Sequence, residues 1–460
     1  MASRTITASS GDTICAIATG AGGGIGIVRI SGPRAAEVVR RLIRPWPEGP
    51  ATHRLYLGRA YDPESDEDLD EVLGCLMRGP GSYTGEDVAE IHGHGGEMNL
   101  GRLLEATVRA GARVAEPGEF TRRAFLAGRI DLTQAEAVAE VIAARSARAL
   151  RVAQAQRSGG LAMRVNALQK RLIVLLAEVE GGIDFPDEDL GECPAIATAV
   201  GALGREVAEL AATFRRGRIL ASGVDVALVG RANAGKSSLF NALLGEERAL
   251  VDAEPGTTRD FIEMEMEFAG LRARVIDTAG EREEATGEGV ERRGVELGRR
   301  RRARADVMLL VVDGRAGFGE IERRIYAEAS AGASAGALLV VWNKRDLAPL
   351  PRGIPAGARV VTTAATHGAG LDELRSAVRE AVGDLGDEGA VTVTSARQKA
   401  ALDEAAAALG VAEMALERGI PPELGAVDLR LALDRLGRVT GENVDSTVLD
   451  AIFSRFCIGK

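Results

Sequence analysis

The chain has 460 residues, of which 46% are hydrophobic and 27% charged, and its formal net charge is −10. The length allows roughly two to four domains, the composition excludes a disordered chain, and the acidic balance argues against broad non-specific binding to nucleic acid. The sequence has no apolar run of about 18 residues and no signal peptide, so we expect a cytoplasmic protein that does not enter a membrane.

The first segment, residues 1–125, is rich in glycine and contains short alternating patterns. Residues 12–19 and 26–30 have the pattern of strands. The glycine cluster at residues 20–26 lacks G-x-G-x-x-G spacing, so we do not expect a dinucleotide-binding fold. We interpret residues 1–125 as one N-terminal domain.

Helical periodicity is clearest at residues 132–142, and we assign residues 126–222 to the first part of a helical domain. Strand and helix patterns alternate over residues 223–384. A linker rich in glycine and acidic residues follows at 383–389, and helical periodicity extends through the last segment, 385–460. The simplest architecture is a helical domain interrupted by an inserted α/β domain, whose two ends should lie close together.

Residues 230–238 read G-R-A-N-A-G-K-S-S and follow the apolar run 224–229. This pattern predicts a strand, a glycine-rich loop and a helix that begins at Lys236, with backbone N–H groups directed at a phosphate. We expect Lys236 to reach the β- and γ-phosphates and the Ser237 hydroxyl to bind Mg²⁺. The plain alternative is a tight strand–helix turn, which the motifs further along the chain disfavour.

Two more motifs follow in the order typical of a nucleotide-binding domain. Residues 255–260 read P-G-T-T-R-D, and Thr258 is expected to be the second protein ligand of Mg²⁺. Residues 275–280 read V-I-D-T-A-G, which predicts Asp277 in the outer shell of the metal and the Gly280 N–H at the γ-phosphate. Together they indicate two switch regions that become ordered around the γ-phosphate.

The motif at residues 343–346, N-K-R-D, follows the apolar strand 337–342. The Asp346 carboxylate can accept two hydrogen bonds from guanine, whereas adenine offers no such donor pair and would leave the carboxylate unpaired. Asn343 is expected at the other edge of the ring. The sequence therefore predicts GTP rather than ATP.

A fifth loop, residues 360–366, ends a strand where GTPases usually show Ser-Ala. This chain has Ala364 in place of the serine, so the hydroxyl that braces the loop is missing, while the Ala365 N–H can still contact guanine. The five loops together supply the expected contacts to GTP. These are Asn233, Ala234, Gly235, Lys236, Ser237, Ser238, Thr257, Thr258, Asp277, Thr278, Ala279, Gly280, Asn343, Lys344, Asp346, Ala364 and Ala365.

Two acidic residues are candidates for the group that orients the attacking water. Glu281 directly follows D-T-A-G, where many GTPases have glutamine, and Glu291 lies in G-V-E-R-R-G at residues 289–294. The residues by themselves favour neither.

The chain ends I-F-S-R-F-C-I-G-K over residues 452–460. We expect the apolar Phe453, Phe456 and Ile458 to pack against the protein. Cys457 is one of 4 widely spaced cysteines with no C-x-x-C pair, which predicts neither zinc nor disulfide bonds and fits a reducing compartment.

Along its whole length the chain resembles the bacterial MnmE (TrmE) family of tRNA modification GTPases. The family's C-terminal signature matches F-C-I-G-K at residues 456–460. Its internal motifs match S-Y-T-G-E-D at 82–87, H-G-G at 94–96, P-G-E-F-T at 117–121 and D-L-T-Q-A-E-A at 131–137. These motifs are more specific than the phosphate loop, which all G proteins share.

The resemblance implies a multidomain α/β and all-α fold: an N-terminal α+β folate-binding and dimerisation domain, a discontinuous helical domain and an inserted Ras-like P-loop GTPase domain. It implies a homodimer that joins the FAD-dependent protein MnmG in a heterotetramer. Together they would add an aminomethyl or carboxymethylaminomethyl group to carbon 5 of the wobble uridine of certain tRNAs. The one-carbon unit would come from 5-formyl- or methylene-tetrahydrofolate.

Four residues match the family's folate residues, namely Arg29, Glu90, Arg129 and Lys460. Basic groups suit the pterin carbonyl and the glutamate tail, and a carboxylate suits the pterin amino groups. Arg129 stands where relatives often have lysine, which keeps the charge and alters its geometry. Cys457 matches a family cysteine near the folate, for which we infer no covalent role.

In the G domain, the resemblance makes Asn233 and Thr257 ligands of K⁺, together with backbone carbonyls around Asp252 and Glu254. The ion would neutralise charge between the β- and γ-phosphates in a dimer of G domains, as an arginine finger does. The resemblance also selects Glu291 as the residue that orients the attacking water.

A ribosome-assembly GTPase, acting as a switch on RNA without one-carbon chemistry, is the alternative function. The G-domain motifs do not separate the two functions. The N-terminal motifs and the Cys457 tail favour tRNA modification, and binding of a formyl-tetrahydrofolate would discriminate between them.

Overall fold

The structure is a computed structural model, and it divides into two compact units. The first unit comprises Met1–Ala143, Ala153–Phe214 and Val391–Lys460, and the second comprises Ala144–Val152 and Arg215–Ala390. The residues that the structure describes are 11–184, 193–246, 262–268, 271–277, 305–331, 337–348, 351–383, 385–386 and 390–460.

The elements follow the mixed pattern that the sequence predicts. The strands are β1 (Ile14–Ile17), β2 (Ile25–Ser31), β3 (Ile43–Arg44), β4 (Arg54–Tyr61), β5 (Asp68–Met77), β6 (Val88–His94), β7 (Arg113–Val114), β8 (Val224–Val229), β9 (Ile262–Phe268), β10 (Leu271–Asp277), β11 (Val307–Asp313), β12 (Ala337–Asn343) and β13 (Val360–Thr362). The helices are α1 (Ala35–Leu42), α2 (Glu97–Arg109), α3 (Glu119–Leu126), α4 (Leu132–Ala143), α5 (Ala147–Arg157), α6 (Gly160–Asp184), α7 (Cys193–Ala212), α8 (Phe214–Ser222), α9 (Lys236–Glu246), α10 (Glu320–Ala331), α11 (Leu371–Val382), α12 (Ala396–Glu417), α13 (Pro422–Thr440) and α14 (Ser446–Phe453). Within the described ranges, none of these helices has the length and apolarity needed to cross a membrane.

The first unit contains a seven-stranded sheet with strand order β3-β4-β5-β6-β2-β1-β7. Neighbouring strands are antiparallel, except that β1 and β7 are parallel. Val28 and Ile30 of β2 are buried in a core that also includes residues of α1 and α2. Because side chains alternate along a strand, Arg29 lies on the opposite face of the sheet.

The register of the sheet brings polar residues together on that opposite face. Arg29 of β2 pairs directly with Glu90 of β6, and Glu90 pairs with Cys75 of β5. Two residues further along β6, His92 lies on the same face and pairs with Ile27 of β2 and Leu73 of β5. The strand pairing therefore sets residues that are far apart in sequence side by side.

Four long helices, α6, α7, α12 and α13, build a second core in the first unit. Val165, Val200, Leu402 and Leu436 are among its buried residues. Apolar side chains on one face of each helix meet here, which accounts for the helical periodicity of the sequence on both sides of the α/β segment.

The chain leaves and re-enters this helical part at two points that touch each other. Thr213 follows α7, and Val393 precedes α12. The Val393 N–H donates a hydrogen bond to Thr213 Oγ1 at 3.0 Å. The next residue, Thr394, donates from its hydroxyl to Glu140 Oε1 of α4 at 2.9 Å. Side chains of the helical part thus hold the returning segment in register.

The second unit contains a six-stranded sheet with strand order β13-β12-β11-β8-β10-β9, parallel apart from the β9–β10 pair. Its central strands are nearly continuous apolar runs, as expected for strands covered on both faces. One apolar cluster includes Leu228 and Leu339, and another includes Val229 and Trp342. The carboxyl ends of the parallel strands meet at one edge, where open α/β sheets bind their ligands.

The C-terminal tail packs against other parts of the first unit. Phe453 and Phe456 are buried, as the sequence predicts. The prediction for Ile458 is wrong, because that side chain is 54% exposed. Gly459 has a φ of 96°, and a Cβ atom there would lie 2.2 Å from the carbonyl oxygen of Ile17. Backbone contact at Gly459, rather than burial of Ile458, therefore anchors the end of the tail.

Candidate functional site

The glycine-rich loop runs between the end of β8 and the start of α9. Gly230 and Gly235 have φ values of 144° and 94°, which favour glycine. A Cβ atom on Gly230 would lie 2.3 Å from the Val311 carbonyl oxygen, and one on Gly235 would lie 2.2 Å from Asn343 Nδ2. The loop can therefore lie this close to β11 and to the N-K-R-D motif only because both positions lack side chains.

Lys236, the first residue of α9, is buried inside the loop. Its side-chain amine donates hydrogen bonds to the carbonyl oxygens of Gly230 at 3.0 Å and Arg231 at 2.9 Å. Ser237 follows in the first turn of the helix, where the helix dipole favours an anion and the hydroxyl oxygen can bind the metal ion that accompanies it. This arrangement suits a phosphate-binding site.

Arg231, within the loop, forms an ion pair that the sequence analysis missed. Its guanidinium contacts both oxygens of Glu322 on α10, at 2.7 and 2.9 Å, and the Glu322 side chain is fully buried. The Gly319 N–H adds a third hydrogen bond to Glu322 at 2.9 Å. No local pattern predicts this pair, because 91 residues separate its members and only the fold brings them together.

Asn343 connects three loops of the site. It is 1% exposed, and its Nδ2 donates to the Ala234 carbonyl oxygen at 3.2 Å. Its Oδ1 accepts hydrogen bonds from the Thr363 hydroxyl at 3.3 Å and from the Ala365 N–H at 3.2 Å. The side chain of Asn343 therefore ties the phosphate loop to the fifth loop.

An open pocket of about 190 Å³ lies beside this junction. Asp346 lies on its wall and is partly exposed, and its carboxylate is 3.9 Å from His367 Nε2. The pocket is lined by Gly235, Ser238, Arg315, Asn343, Lys344, Asp346, Leu347, Ala365 and Thr366. The combination of one carboxylate with apolar walls suits a flat base that carries N–H donors.

Lys344 has a left-handed backbone conformation, with a φ of 62°. Its amine donates to the Asn233 carbonyl oxygen at 3.1 Å and to Asp313 Oδ2 at 2.6 Å. Burial raises the pKa of Asp313, but hydrogen bonds from Lys344 and Arg315 outweigh it and lower that pKa to about 2. Asp313 thus stays ionised and holds Lys344 over the loop.

Asp313 and Thr363 contribute to the site although the sequence analysis did not select them. A signal for Asp313 existed, because it ends an apolar strand at the same edge as Asn343, its partner in the sheet register. Thr363 offered a weaker signal, as one of three threonines in the fifth loop.

Several predicted residues lie outside the described part of the chain. They are Asp252, Glu254, Thr257, Thr258, Thr278, Ala279, Gly280, Glu281 and Glu291. Asp277 is the last residue of β10. Among the described residues no group of three or more His, Cys, Asp or Glu side chains could hold a metal ion.

A second polar cluster lies on the sheet of the first unit. Arg29 Nε donates to Glu90 Oε1 at 2.9 Å, and His92 Nε2 is 3.0 Å from Glu90 Oε2. The hydrogen bond from His92 and the charge of Arg29 lower the pKa of Glu90 against the opposing effect of burial. Glu90 is therefore an ionised carboxylate with a fixed orientation.

The C-terminal tail reaches this cluster. Arg29 Nη1 is 3.5 Å from the Gly459 carbonyl oxygen, and the Arg29 guanidinium lies 5.9 Å from the centre of the Phe120 ring. The Phe120 N–H donates to the carbonyl oxygen of Lys460 at 3.2 Å. The fold therefore brings Arg29, Glu90 and the end of the chain together.

The remaining predicted residues of this cluster lie near it. Arg129 lies beside Gly85, where a Cβ atom would be 3.4 Å from Arg129 Cγ. Tyr83, in the same motif as Gly85, is 3.0 Å from Thr121 through its hydroxyl, and Cys457 is exposed on the tail. Three of the sequence motifs, S-Y-T-G-E-D, P-G-E-F-T and F-C-I-G-K, thus surround one region of the first unit.

Comparisons with known proteins show the family to which the chain is similar. A family model for the MnmE helical domain matches residues 132–457, and one for the GTP-binding protein TrmE N-terminus matches residues 13–129. The chain is 45% identical to a tRNA modification GTPase MnmE of Geobacter metallireducens, over 98% of this chain and 99% of that one. It is 44% identical to a tRNA modification GTPase MnmE of a Synechococcus species, over 99% of both chains.

Among solved structures, one of Era from Aquifex aeolicus bound to GDP and aluminium fluoride is 26% identical to this chain. The match covers 40% of this chain and 66% of that one, with a TM-score of 0.27. That score is too low to support a conclusion about function.

Proposed function

The chain belongs to the MnmE family of tRNA modification GTPases, and we propose that it acts with the FAD-dependent protein MnmG on the wobble uridine of certain tRNAs. The product carries an aminomethyl or carboxymethylaminomethyl group at carbon 5 of that uridine. A tetrahydrofolate derivative supplies the one-carbon unit, and GTP is hydrolysed in the process. The reaction takes place in the cytoplasm.

The observation that carries the proposal is the presence of two different sites in one chain. The second unit has a phosphate loop beside a pocket with the Asp346 carboxylate. The first unit has a fixed Glu90 carboxylate beside Arg29 and the C-terminal tail. In this proposal the domain of residues 1–125 carries the folate site together with Arg129 and Lys460, residues 223–384 carry the GTP site, and residues 126–222 and 385–460 form the helical domain.

At the GTP site, Asp346 accepts two hydrogen bonds from the guanine edge. Asn343 holds the loops around the base, which its buried contacts with Ala234 and Ala365 support. The Lys236 amine, which contacts the carbonyl oxygens of Gly230 and Arg231, donates to phosphate oxygens, which accept a charged hydrogen bond more strongly. In this proposal the phosphate loop binds the phosphates, and Asp346 makes the site selective for guanine.

Hydrolysis requires a magnesium ion and, in this proposal, a potassium ion. Ser237 and Thr258 would hold Mg²⁺, whose charge stabilises the phosphates when it is bound. Asn233, Thr257 and the backbone near Asp252 and Glu254 would hold K⁺. Asn233 has a φ of 64°, in the left-handed region that asparagine tolerates, and Lys344 holds its carbonyl oxygen.

Glu291 is proposed to orient the attacking water at the γ-phosphate. A Glu291→Ala variant should still bind GTP and lose turnover, as measured by equilibrium titration and by phosphate release. A variant that hydrolyses GTP at the wild-type rate would remove Glu291 from this role.

Wild-type hydrolysis should also be faster in K⁺ than in Na⁺ at equal ionic strength, and equal rates would contradict K⁺-dependent dimerisation of the G domains.

At the folate site, Glu90 accepts hydrogen bonds from the amino edge of the pterin. Arg29, Arg129 and the Lys460 side chain supply positive charge for the pterin carbonyl and the glutamate tail. The lowered pKa of Glu90 supports this role, because only the ionised carboxylate can accept two N–H donors at once. The exposed Cys457 lies on the tail that borders the site.

A homodimer is proposed to form through the outer face of the seven-stranded sheet. Ile25, Leu55, Leu57 and Leu73 lie on the face that carries Arg29 and Glu90, and Ile25 and Leu57 are 67% and 64% exposed. Exposed apolar residues grouped on one sheet face are a common feature of interfaces. The dimer then joins MnmG in a heterotetramer and binds tRNA.

Titration of the wild-type protein with 5-formyltetrahydrofolate tests the folate part of the proposal. We expect saturable binding at one site per chain. Absence of binding, with GTP binding intact, would favour a GTPase that acts on RNA without one-carbon chemistry.

A further inference from the structure

The two oxygens of Glu90 are held by two different side chains. Arg29 Nε is 2.9 Å from Oε1, and His92 Nε2 is 3.0 Å from Oε2. A single ion pair with Arg29 would neutralise the charge of Glu90, but the plane of the carboxylate could still turn about the Cγ–Cδ bond. The contact from His92 removes that freedom.

His92 lies where this contact follows from strand geometry. It is two residues after Glu90 on β6, so both side chains lie on the same face of the sheet. In the register its neighbours are Ile27 on β2 and Leu73 on β5. Its side chain is 22% exposed and that of Glu90 is 16% exposed. The imidazole therefore sits between apolar neighbours, with one edge turned to Glu90.

The Glu90 carboxylate can accept further hydrogen bonds besides those from Arg29 and His92. An ionised carboxylate has about four lone-pair positions, two on each oxygen. Arg29 and His92 each occupy one, on different oxygens, so that one position remains on each. Two adjacent acceptors of fixed orientation match two adjacent N–H donors. The 2-amino-4-oxopyrimidine edge of a reduced pterin has such a pair.

We propose that His92 is a positioning residue of the folate site, which fixes Glu90 for bidentate binding of the 2-amino-4-oxopyrimidine edge of a reduced pterin. This inference rests on the proposed folate function of the site. His92 acts through Glu90 and need not touch the ligand. The two contacts of Glu90 have different roles: Arg29 neutralises its charge, and His92 fixes the plane of its carboxylate.

The neighbour on the other side of Glu90 cannot replace His92. Cys75 on β5 pairs with Glu90 in the register and is 8% exposed. Burial raises the pKa of Cys75, so the residue stays a neutral thiol, and a thiol is only a weak hydrogen-bond donor to a carboxylate. The orientation of Glu90 consequently depends on the imidazole.

The test compares two substitutions of His92 in the full-length protein. His92→Leu removes the donor, whereas His92→Gln keeps an N–H donor at similar reach. We expect the dissociation constant for 5-formyltetrahydrofolate, measured by calorimetry, to rise about tenfold in His92→Leu. In His92→Gln it should stay within about threefold of the wild-type value.

His94→Leu is the matched control, because His94 is on the same strand and face but contacts Asp70, with Nδ1 at 2.7 Å from Oδ1. This variant should bind the folate like the wild type. If His92→Leu fails to fold, as judged by thermal unfolding, His92→Asn replaces it, since its amide is too short to reach Glu90.

A second ligand separates positioning from general loss of structure. An analogue whose 2-amino group is replaced by methyl lacks one of the two donors, so the wild type should bind it more weakly than 5-formyltetrahydrofolate. His92→Leu should discriminate less between the two ligands, and His92→Gln should discriminate as the wild type does. Equal affinity of wild type and His92→Leu for 5-formyltetrahydrofolate would overturn the role of His92. A wild type that binds no folate would overturn both this role and the folate function.

Discussion

The Thr363 hydroxyl donates a hydrogen bond to Asn343 Oδ1 at 3.3 Å, and both side chains are buried. It supplies, one residue earlier, the bracing hydroxyl that GTPases usually carry where this chain has Ala364. The Ala365 N–H contacts the same oxygen at 3.2 Å. The fifth loop is therefore braced through Asn343 despite the alanine, and the loss expected from the sequence is compensated locally.

Replacement of Thr363 tests this compensation. Thr363→Val keeps the shape but removes the donor, so Asn343 Oδ1 loses one partner inside a buried site, at a cost of roughly 1 kcal/mol. We expect the affinity for GDP, measured with a fluorescent analogue, to fall about fivefold. Thr363→Ser, which retains the hydroxyl, should bind like the wild type. Equal binding by the valine variant would show that Ala365 alone braces the loop.

Asp346→Asn should change the base that the pocket accepts. The amide can donate where the carboxylate only accepts, so it repels the guanine amino group and suits the carbonyl of xanthine. Affinity for GDP should fall at least about 100-fold, and affinity for xanthosine diphosphate should rise. Arg345→Gln is the control, because the described contact of Arg345 is its backbone N–H to the Thr363 carbonyl oxygen. A variant that still prefers GDP would place the base elsewhere.

Glu140 should make stability depend on pH. Burial raises its pKa from 4.5 to about 7, and the nearby Glu136 adds to the shift, although the Thr394 hydroxyl opposes it. Above about pH 4.5 the unfolded chain releases this proton while the folded protein retains it, so the free energy of unfolding falls until about pH 7. The loss approaches roughly 3 kcal/mol at higher pH.

Glu140→Gln removes that dependence, since the amide does not ionise and can still accept the Thr394 hydrogen bond. Denaturant unfolding at pH 8 should show the variant to be more stable than the wild type. Near pH 4.5 the difference should be small. A constant difference at both pH values would contradict a raised pKa at Glu140.

Gly459→Ala should displace the C-terminal tail from the proposed folate site. The backbone there has a φ of 96°, and a Cβ atom would lie 2.2 Å from the Ile17 carbonyl oxygen, which cannot yield like a flexible side chain. We expect the affinity for 5-formyltetrahydrofolate to fall about fivefold or more. Ile458→Ala removes an exposed side chain and should have little effect. Unchanged affinity in Gly459→Ala would separate the tail from the site.

The sequence predicts those parts of the site that follow from local patterns of residues. The phosphate loop at Lys236 and the motif at Asn343 follow apolar strands, and parallel strands of one sheet end at one edge. Arg29 and Glu90 were selected by resemblance, and strand register then explains why they meet. For the phosphate loop and the Asn343 motif a short pattern carries enough information, because the geometry of strand and helix ends is repetitive.

Other contacts depend on tertiary packing and leave no local signal. The Arg231–Glu322 pair joins the phosphate loop to a helix 91 residues away. Ile458 was predicted to pack from its apolar character, but the anchor of the tail is backbone contact at Gly459. Burial of single polar groups depends on which elements meet, and the sequence of one element does not contain that information.

The central claim is that this chain takes part in modification of the tRNA wobble uridine through both its GTP and its folate sites. Mass spectrometry of nucleosides from total tRNA of a deletion strain tests it most directly. We predict loss of the aminomethyl and carboxymethylaminomethyl derivatives at carbon 5, with recovery on expression of the wild-type chain but not of the Asp346→Asn or Glu90→Ala variants. Wobble uridines that carry the same modifications in the deletion strain as in its parent would contradict the claim.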